Sequence, residues 1–359
     1  VIRTIRFQEF RALRDVNVSL APLTVFVGPN GSGKTSILSG INELLSIGSR
    51  PRTTEEFDAY TSERVINTNL EAGAASIKAY FADDYVFKVT WQLGNGKLFE
   101  IPTELTGPNF TGPIRQDARR SAGGLAAIRV DEASTRFLRL VPEVLGEASY
   151  SDLEVPELED KGDGLATVLN DLASSAPEVL ERITKAVVEI VPAVRRIRTE
   201  RAKVLVATDN GTKLEHRIGS RVILDTASGK GIPLSAASEG TALTVALMTV
   251  LYGRNPPTTL LMDDLDRALH PAAQRDLVKT LRAAMKDRPE LQILATTHSP
   301  YLLDCLEFNE VRLTTLGEDG AVRCDTLEHH PDFERWKDMV TPGELWTSKM
   351  ESWVGKGQR

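Results

Sequence analysis

The run Gly28-Pro29-Asn30-Gly31-Ser32-Gly33-Lys34-Thr35 limits what this chain can fold into more than any other feature. It fits the pattern G-x-x-x-x-G-K-[ST], with Gly28, Gly33, Lys34 and Thr35 at the fixed positions. The apolar stretch 23–27 predicts a buried strand leading in. Ile37, Leu38, Ile41, Leu44 and Leu45 recur at helical spacing and predict a helix leading out. In that setting glycines let the backbone wrap closely around phosphate, and the N–H groups of the loop and helix start point at the anion. Asn30, Gly31, Ser32, Gly33, Lys34, Thr35 and Ser36 are then the expected nucleotide contacts. Lys34 would neutralise the outer phosphates, and the Thr35 hydroxyl would ligate Mg²⁺.

A second apolar run, Thr259-Leu260-Leu261-Met262, ends in Asp263-Asp264. Ligands of an open parallel sheet gather at the carboxyl ends of its strands, so an acid delivered there can hold the metal of a nucleotide. Asp263 is assigned that role and Asp264 that of positioning and polarising the attacking water; without a phosphate loop in the same chain, a solvated turn would be the better reading. Leu291-Gln292-Ile293-Leu294-Ala295-Thr296 repeats the design and ends in Thr297-His298-Ser299-Pro300. His298 could face a γ-phosphate or its water, though a lone histidine at a strand end is more often structural. Ser238-Glu239-Gly240-Thr241 precedes another helical stripe. It is either an anion-binding turn or a plain N-cap, with Ser238 fit for both.

Composition narrows the function class. The 359 residues are 41% hydrophobic and 26% charged, with a net charge of −7, so the surface as a whole does not favour nucleic acid. Cys305 and Cys324 are too few for a disulfide framework or a metal cluster and suit a reducing cytoplasm. No apolar run is long enough for a bilayer, so no membrane partner is expected. Along the chain, residues 1–7 and 16–20 read as strands, 49–69 as a polar loop, and 77–91 as a hairpin turning at Asp83-Asp84. Residues 98–123 read as irregular, and Phe137, Leu138, Leu140 and Val141 hint at a helix. Helical stripes follow over 164–173 and from Pro177 to Ile190, then strands near Ile197, Val204 and Val222. The expected division is a core of residues 1–48 and 228–325, an inserted mixed α/β subdomain of 49–227, and a C-terminal extension of 326–359. The aromatics of that extension, Trp336, Trp346 and Trp353, either cap the core or form a docking surface.

In this order the segments resemble the ABC-class ATPases of the RecF/SMC type, and among them the AAA-type ATPases related to the OLD (overcoming lysogenization defect) proteins. Phe10-Arg11-Ala12-Leu13 and the phosphate loop look like that group's N-terminus. Ser238-Glu239-Gly240-Thr241 looks like its signature turn, residues 263–271 its Walker B and D-loop run, and Thr297-His298-Ser299-Pro300 its histidine switch. The resemblance implies a P-loop NTPase of the ABC type, an α/β fold with a mixed sheet and flanking helices. It adds Arg11 to the nucleotide contacts. It implies a homodimer or higher even oligomer that sandwiches Mg²⁺ and ATP head to tail, with Ser238, Glu239 and Gly240 acting in trans.

The chain departs from this group in several places. Asp264 stands where Glu is usual, which predicts slow hydrolysis or a shifted helix that compensates, with Asp266 a second candidate. There is no full Leu-Ser-Gly-Gly-Gln and no identifiable coupling-loop Gln, and a Toprim nuclease after the histidine switch is not expected. The expected function is an ATPase that regulates a separate, nuclease-like effector in prokaryotic genome defence. One alternative is a RecF-like DNA-binding protein using Arg195, Arg196, Arg198, Arg201 and Lys203; the other is an ATP-gated scaffold that barely turns over.

Overall fold

The computed structural model describes residues 1–47, 74–94, 97–107, 110–114, 135–208, 213–349 and 351–355. The expected polar loop at 49–69 lies outside them. In chain order the elements are β1 (Ile2–Phe10), β2 (Leu13–Ser19), β3 (Leu23–Val27), α1 (Lys34–Ile47), β4 (Ala74–Phe81), β5 (Val86–Gly94), β6 (Lys97–Gly107), β7 (Phe110–Ile114) and β8 (Thr135–Leu138). Then come α2 (Leu165–Ser175), α3 (Pro177–Ile190), β9 (Val194–Thr208), β10 (Lys213–Thr226), β11 (Ile232–Pro233), α4 (Glu239–Tyr252), β12 (Thr259–Met262), α5 (Pro271–Asp287), β13 (Gln292–Thr296), β14 (Val311–Leu316), β15 (Val322–Thr326) and α6 (Pro342–Lys349).

These residues form two compact units: Val1–Arg136 with Thr258–Leu265 and Glu290–Arg359, and Phe137–Pro257 with Asp266–Pro289. The boundaries are not those of the sequence-based division. β4 pairs with β1 along the antiparallel register Ile5↔Ala79 and Phe7↔Ile77, so the first part of the supposed insertion extends the N-terminal sheet.

The first unit holds two sheets. One is antiparallel, in the order β2-β1-β4-β5-β6-β7. Its inward positions Ile5, Phe7, Ile77, Ala79, Phe87, Val89 and Trp91 are fully buried, as strict alternation demands of a sheet with one covered face. The other runs β15-β14-β3-β13-β12, with β8, through which the chain leaves the unit, closing the order. β3, β13 and β12 are parallel, with Phe26↔Thr296 and Leu261↔Leu294 in register, and read as unbroken apolar runs because both faces are covered. Gln292 ties β13 to the N-terminus: its buried amide accepts from Ile2 N (2.9 Å) and donates to Ile2 O (2.8 Å).

The second unit is centred on α4, whose residues 240–251 are all buried. A helix apolar on every side belongs in a core. Its buried hydroxyls are satisfied within the helix, Thr244 by Gly240 O and Thr249 by Val245 O, both at 2.7 Å. α3 packs on α4 and α5, while β9 and β10 form a long antiparallel ribbon with β11 on its edge.

Two expectations are corrected. Residues 98–123 are not irregular where they are described: β6 and β7 pair, with Leu105↔Gly112 in register. Pro102 obscured this, and the β5–β6 register shifts between Lys88 and Thr90, opposite it, which is how a strand accommodates a residue with no N–H to give. The helix expected around Phe137–Val141 is instead β8, followed by a single helical turn at Pro142–Leu145. A short apolar cluster fits both periods, and here the sheet edge decides it.

Candidate nucleotide site

The phosphate loop lies between β3 and α1. Gly28, Gly31 and Gly33 have φ of 149°, 77° and 94°, a region that side chains rarely enter. Space is as demanding as torsion. A Cβ on Gly28 would lie 2.1 Å from Thr314 O, and one on Gly33 would lie 2.6 Å from Val322 Cγ2. At Gly31 nothing lies within 4 Å, so the loop tip is open. Ser32 is buried and shares a hydrogen bond of 2.6 Å with Thr314 Oγ1. Asn30 is exposed at the tip, and Ser36 is half-buried in the first turn of α1.

Lys34 is buried, and its ammonium donates to the loop carbonyls of Gly28 (2.8 Å) and Pro29 (2.9 Å). Burial pushes its pKa down. The charges of Asp264, Asp263 and Glu351 push it back up, which places three carboxylates within electrostatic reach of this one ammonium.

Thr35 and Asp263 meet across 228 positions of sequence. Thr35 Oγ1 donates to Asp263 Oδ2 at 2.9 Å, and Thr296 Oγ1 donates to Asp263 Oδ1 at 2.6 Å. The parallel order β3-β13-β12 makes this contact: each strand ends at the same edge, and each delivers a polar residue there. A threonine hydroxyl and a carboxylate are hard oxygen donors of the kind Mg²⁺ takes beside nucleotide phosphates, so the residues present fit that ion.

Asp264 is exposed and has φ of 52°; its backbone N–H donates to Thr296 Oγ1 at 2.8 Å. Thr296 therefore sets both acids, one through its carboxylate and one through its backbone. His298 is exposed just beyond β13, between the buried Thr297 and Ser299. The turn is fixed by Thr297 N to Phe26 O (3.0 Å) and Ser299 N to Thr297 Oγ1 (3.0 Å). Arg11 has φ of 53° at the β1–β2 turn, its guanidinium 5.3 Å from the Phe10 ring centre. Its neighbour Ala12 accepts from Val322 N, the residue beneath Gly33.

In the second unit, Ser238 is the N-cap of α4 and accepts from Thr241 N at 3.3 Å. Glu239 pairs with Arg267 at 2.5 Å, and a Cβ on Gly240 would lie 2.4 Å from Ala268 O. The 238–240 turn thus rests on the 266–269 turn.

The first unit therefore brings Lys34, Thr35, Asp263, Asp264 and His298 to one edge of its sheet. Sequence reasoning missed Thr296, Thr314, Val322 and Glu351. Thr296 had a signal, as a hydroxyl ending an apolar strand directly before His298. The others had none, because Thr314 and Val322 reach the loop only through strand order. Among the described residues no cluster of His, Cys, Asp and Glu suits a transition metal, and no helix is long and apolar enough to cross a membrane.

Comparison with known proteins bears on the fold and the family. Residues 1–120 match an AAA ATPase domain family, and residues 137–304 match an AAA domain family whose description names the AbiEii toxin and a type IV TA system. The OLD nuclease of Thermus scotoductus is 25% identical over 355 residues, 90% of this chain and 63% of that protein. The Septu protein PtuA of Bacillus thuringiensis is 22% identical over 318 residues, 84% of this chain and 72% of that one. This chain therefore spans less than two thirds of the OLD nuclease. Among solved structures, an SmcHead bound to the C-winged helix domain of ScpA aligns with a TM-score of 0.59 at 16% identity, over 91% of this chain and 98% of the other. An Smc head domain with an extended coiled coil, from Pyrococcus furiosus and bound to the C-terminal domain of ScpA, aligns at 0.56 and 12% identity, over 91% and 97%. The fold is that of an ABC-type ATPase head.

Proposed function

Because the chain is an ABC-like, AAA-type ATPase related to the OLD proteins, we propose that it binds and slowly hydrolyses ATP with Mg²⁺ in the cytoplasm. In this reading it closes head to tail on a second copy and thereby regulates a separate, nuclease-like effector. The observation that carries the proposal is the contact of Thr35 with Asp263 beside Lys34.

Bound Mg²⁺ and ATP would supply a labile terminal phosphoryl group and a cation to gather its charge. Everything else belongs to the chain. Lys34 binds and neutralises anionic oxygens; its ammonium, depressed by burial, is relieved by any anion that enters the loop. Thr35 and Asp263 would be the metal's ligands. Asp264 orients water and takes its proton, and His298 stands at the end of the neighbouring strand to hold the same water. Asn30, Gly31, Ser32, Gly33 and Ser36 offer loop and helix-start donors, Arg11 a cation from the adjoining turn, and Ser238, Glu239 and Gly240 act across the interface.

Two tests apply. Lys34→Ala is expected to abolish ATP binding by calorimetry; unchanged affinity overturns the phosphate-loop assignment. Asp264→Ala is expected to keep binding and lower turnover by about a hundredfold, the scale of losing a positioned base. Unchanged turnover removes Asp264 from that role.

A slow, gate-like ATPase is favoured over a fast one by Asp264 itself. Its carboxylate is a methylene shorter than that of glutamate, and its left-handed backbone is pinned by Thr296. The DNA-binding alternative has less support: Arg198 is committed to Asp225 by two hydrogen bonds of 2.9 and 2.8 Å.

A further inference from the structure

The β9–β10 ribbon carries an apolar face that the proposed function does not use. Three of the chain's exposed large aliphatics lie on it: Leu205 is 53% exposed, and Leu214 and Ile218 are each 62% exposed. The register puts them together. Leu205 pairs with His216 and Lys203 with Ile218, so Leu205, Leu214, His216 and Ile218 share one face with Lys203 and Arg201. The ion cluster Lys213–Glu215–Arg217 lies on the other face. The register puts Arg201 and Lys203 on the apolar face, while Glu200, Glu215 and Asp225 fall on the other, so the face is positive.

A second patch has the opposite sign. Residues 151–160 hold five carboxylates and no Lys or Arg. Within them Leu153 is 64% exposed and Val155 42% exposed, alternating with Asp152 and Glu154. The two patches are neighbours in the same unit. Ser149 and Ser220 exchange backbone hydrogen bonds, both 2.9 Å, two residues from each patch. Yet their aliphatic side chains remain exposed, so the patches do not cover one another within one chain.

We propose that the occupant of the ribbon face is the acidic 151–155 segment of a second copy, in a contact that needs no nucleotide. Positive-apolar and negative-apolar patches set side by side are what a two-fold interface requires. The axis lays each patch on its opposite, and the contact is made twice. Charge directs the register, and the aliphatic side chains leave water. A nucleic acid partner would match the cations but not Leu205, Leu214 and Ile218, and among the described residues of this face His216 is the single ring on which a base could stack.

The test is sedimentation of the full chain in EDTA without nucleotide, repeated in the Lys34→Ala background so that failure of the ATP reading leaves this one standing. A reversible monomer–dimer equilibrium is expected, weaker at high salt. Ile218→Asp, at an exposed position, is expected to raise the dissociation constant by at least about tenfold. Leu205→Ser is a second variant should the first perturb the ribbon. Copies carrying Ile218→Cys mixed with copies carrying Leu153→Cys should form an inter-chain disulfide. A monomer at every concentration and salt overturns the proposal. So does a dimer indifferent to both ribbon substitutions, or cross-linking of Ile218→Cys only with itself.

Discussion

Two glycines of the phosphate loop have different reasons to be glycine, and substitution separates them. Gly33 is held by torsion and by Val322, whereas Gly31 is held by torsion alone. Gly31→Ala should cost about 1–2 kcal/mol of left-handed strain and weaken ATP binding modestly. Gly33→Ala should abolish binding, because the loop must move off β15; calorimetry of the pair checks the order. Elsewhere, the Cys324 thiol is pushed up to about 12 by burial, while Cys305 is part-exposed. A thiol reagent should therefore label Cys305 in the native protein and reach Cys324 only on unfolding.

At the scale of elements, the N-terminus of α4 has two tasks that can be uncoupled. Ser238→Ala removes the cap and should lower stability by about 1 kcal/mol in a denaturant titration. Ser238→Asp keeps a capping oxygen and should hold stability within a few tenths of that scale. It should nevertheless prevent ATP-dependent association if Ser238 faces a terminal phosphate, because two anions would meet. In the ribbon, the Arg198 guanidinium and the Gly231 N–H hold the Asp225 carboxyl at about 2. A depressed carboxyl stabilises the fold above its ordinary value, so this contribution is intact at neutral pH. It is lost as pH falls from the ordinary carboxylate range toward about 2. Faster hydrogen exchange at Gly231 over that interval is the expected signature. Elements with unambiguous periodicity were legible in sequence: β3, α1, α2, α3, and the ribbon that answers to Ile197, Val204 and Val222. β6 and β8 were not. Proline in one and a four-residue apolar cluster in the other carry no local information about which neighbour will pair with them.

Across the whole molecule, the order of motifs along the chain foretold the family and the loop, but not how the loop is held. That Lys34, Asp263, Asp264 and His298 gather at one sheet edge could be read, because each follows an apolar strand. Thr314 and Val322 could not, since their importance arises only when β14 lies beside β3 and β15 beside β14. Every recognisable motif ends by Pro300, yet Ser32 leans on Thr314 and Gly33 on Val322. A truncated chain ending at Leu303 would keep each motif and should fail to bind ATP by calorimetry; appended as a separate peptide, residues 304–355 should restore part of that affinity. A boundary drawn where the recognisable letters stop would amputate the buttress and leave a well-spelled loop with nothing to lean on.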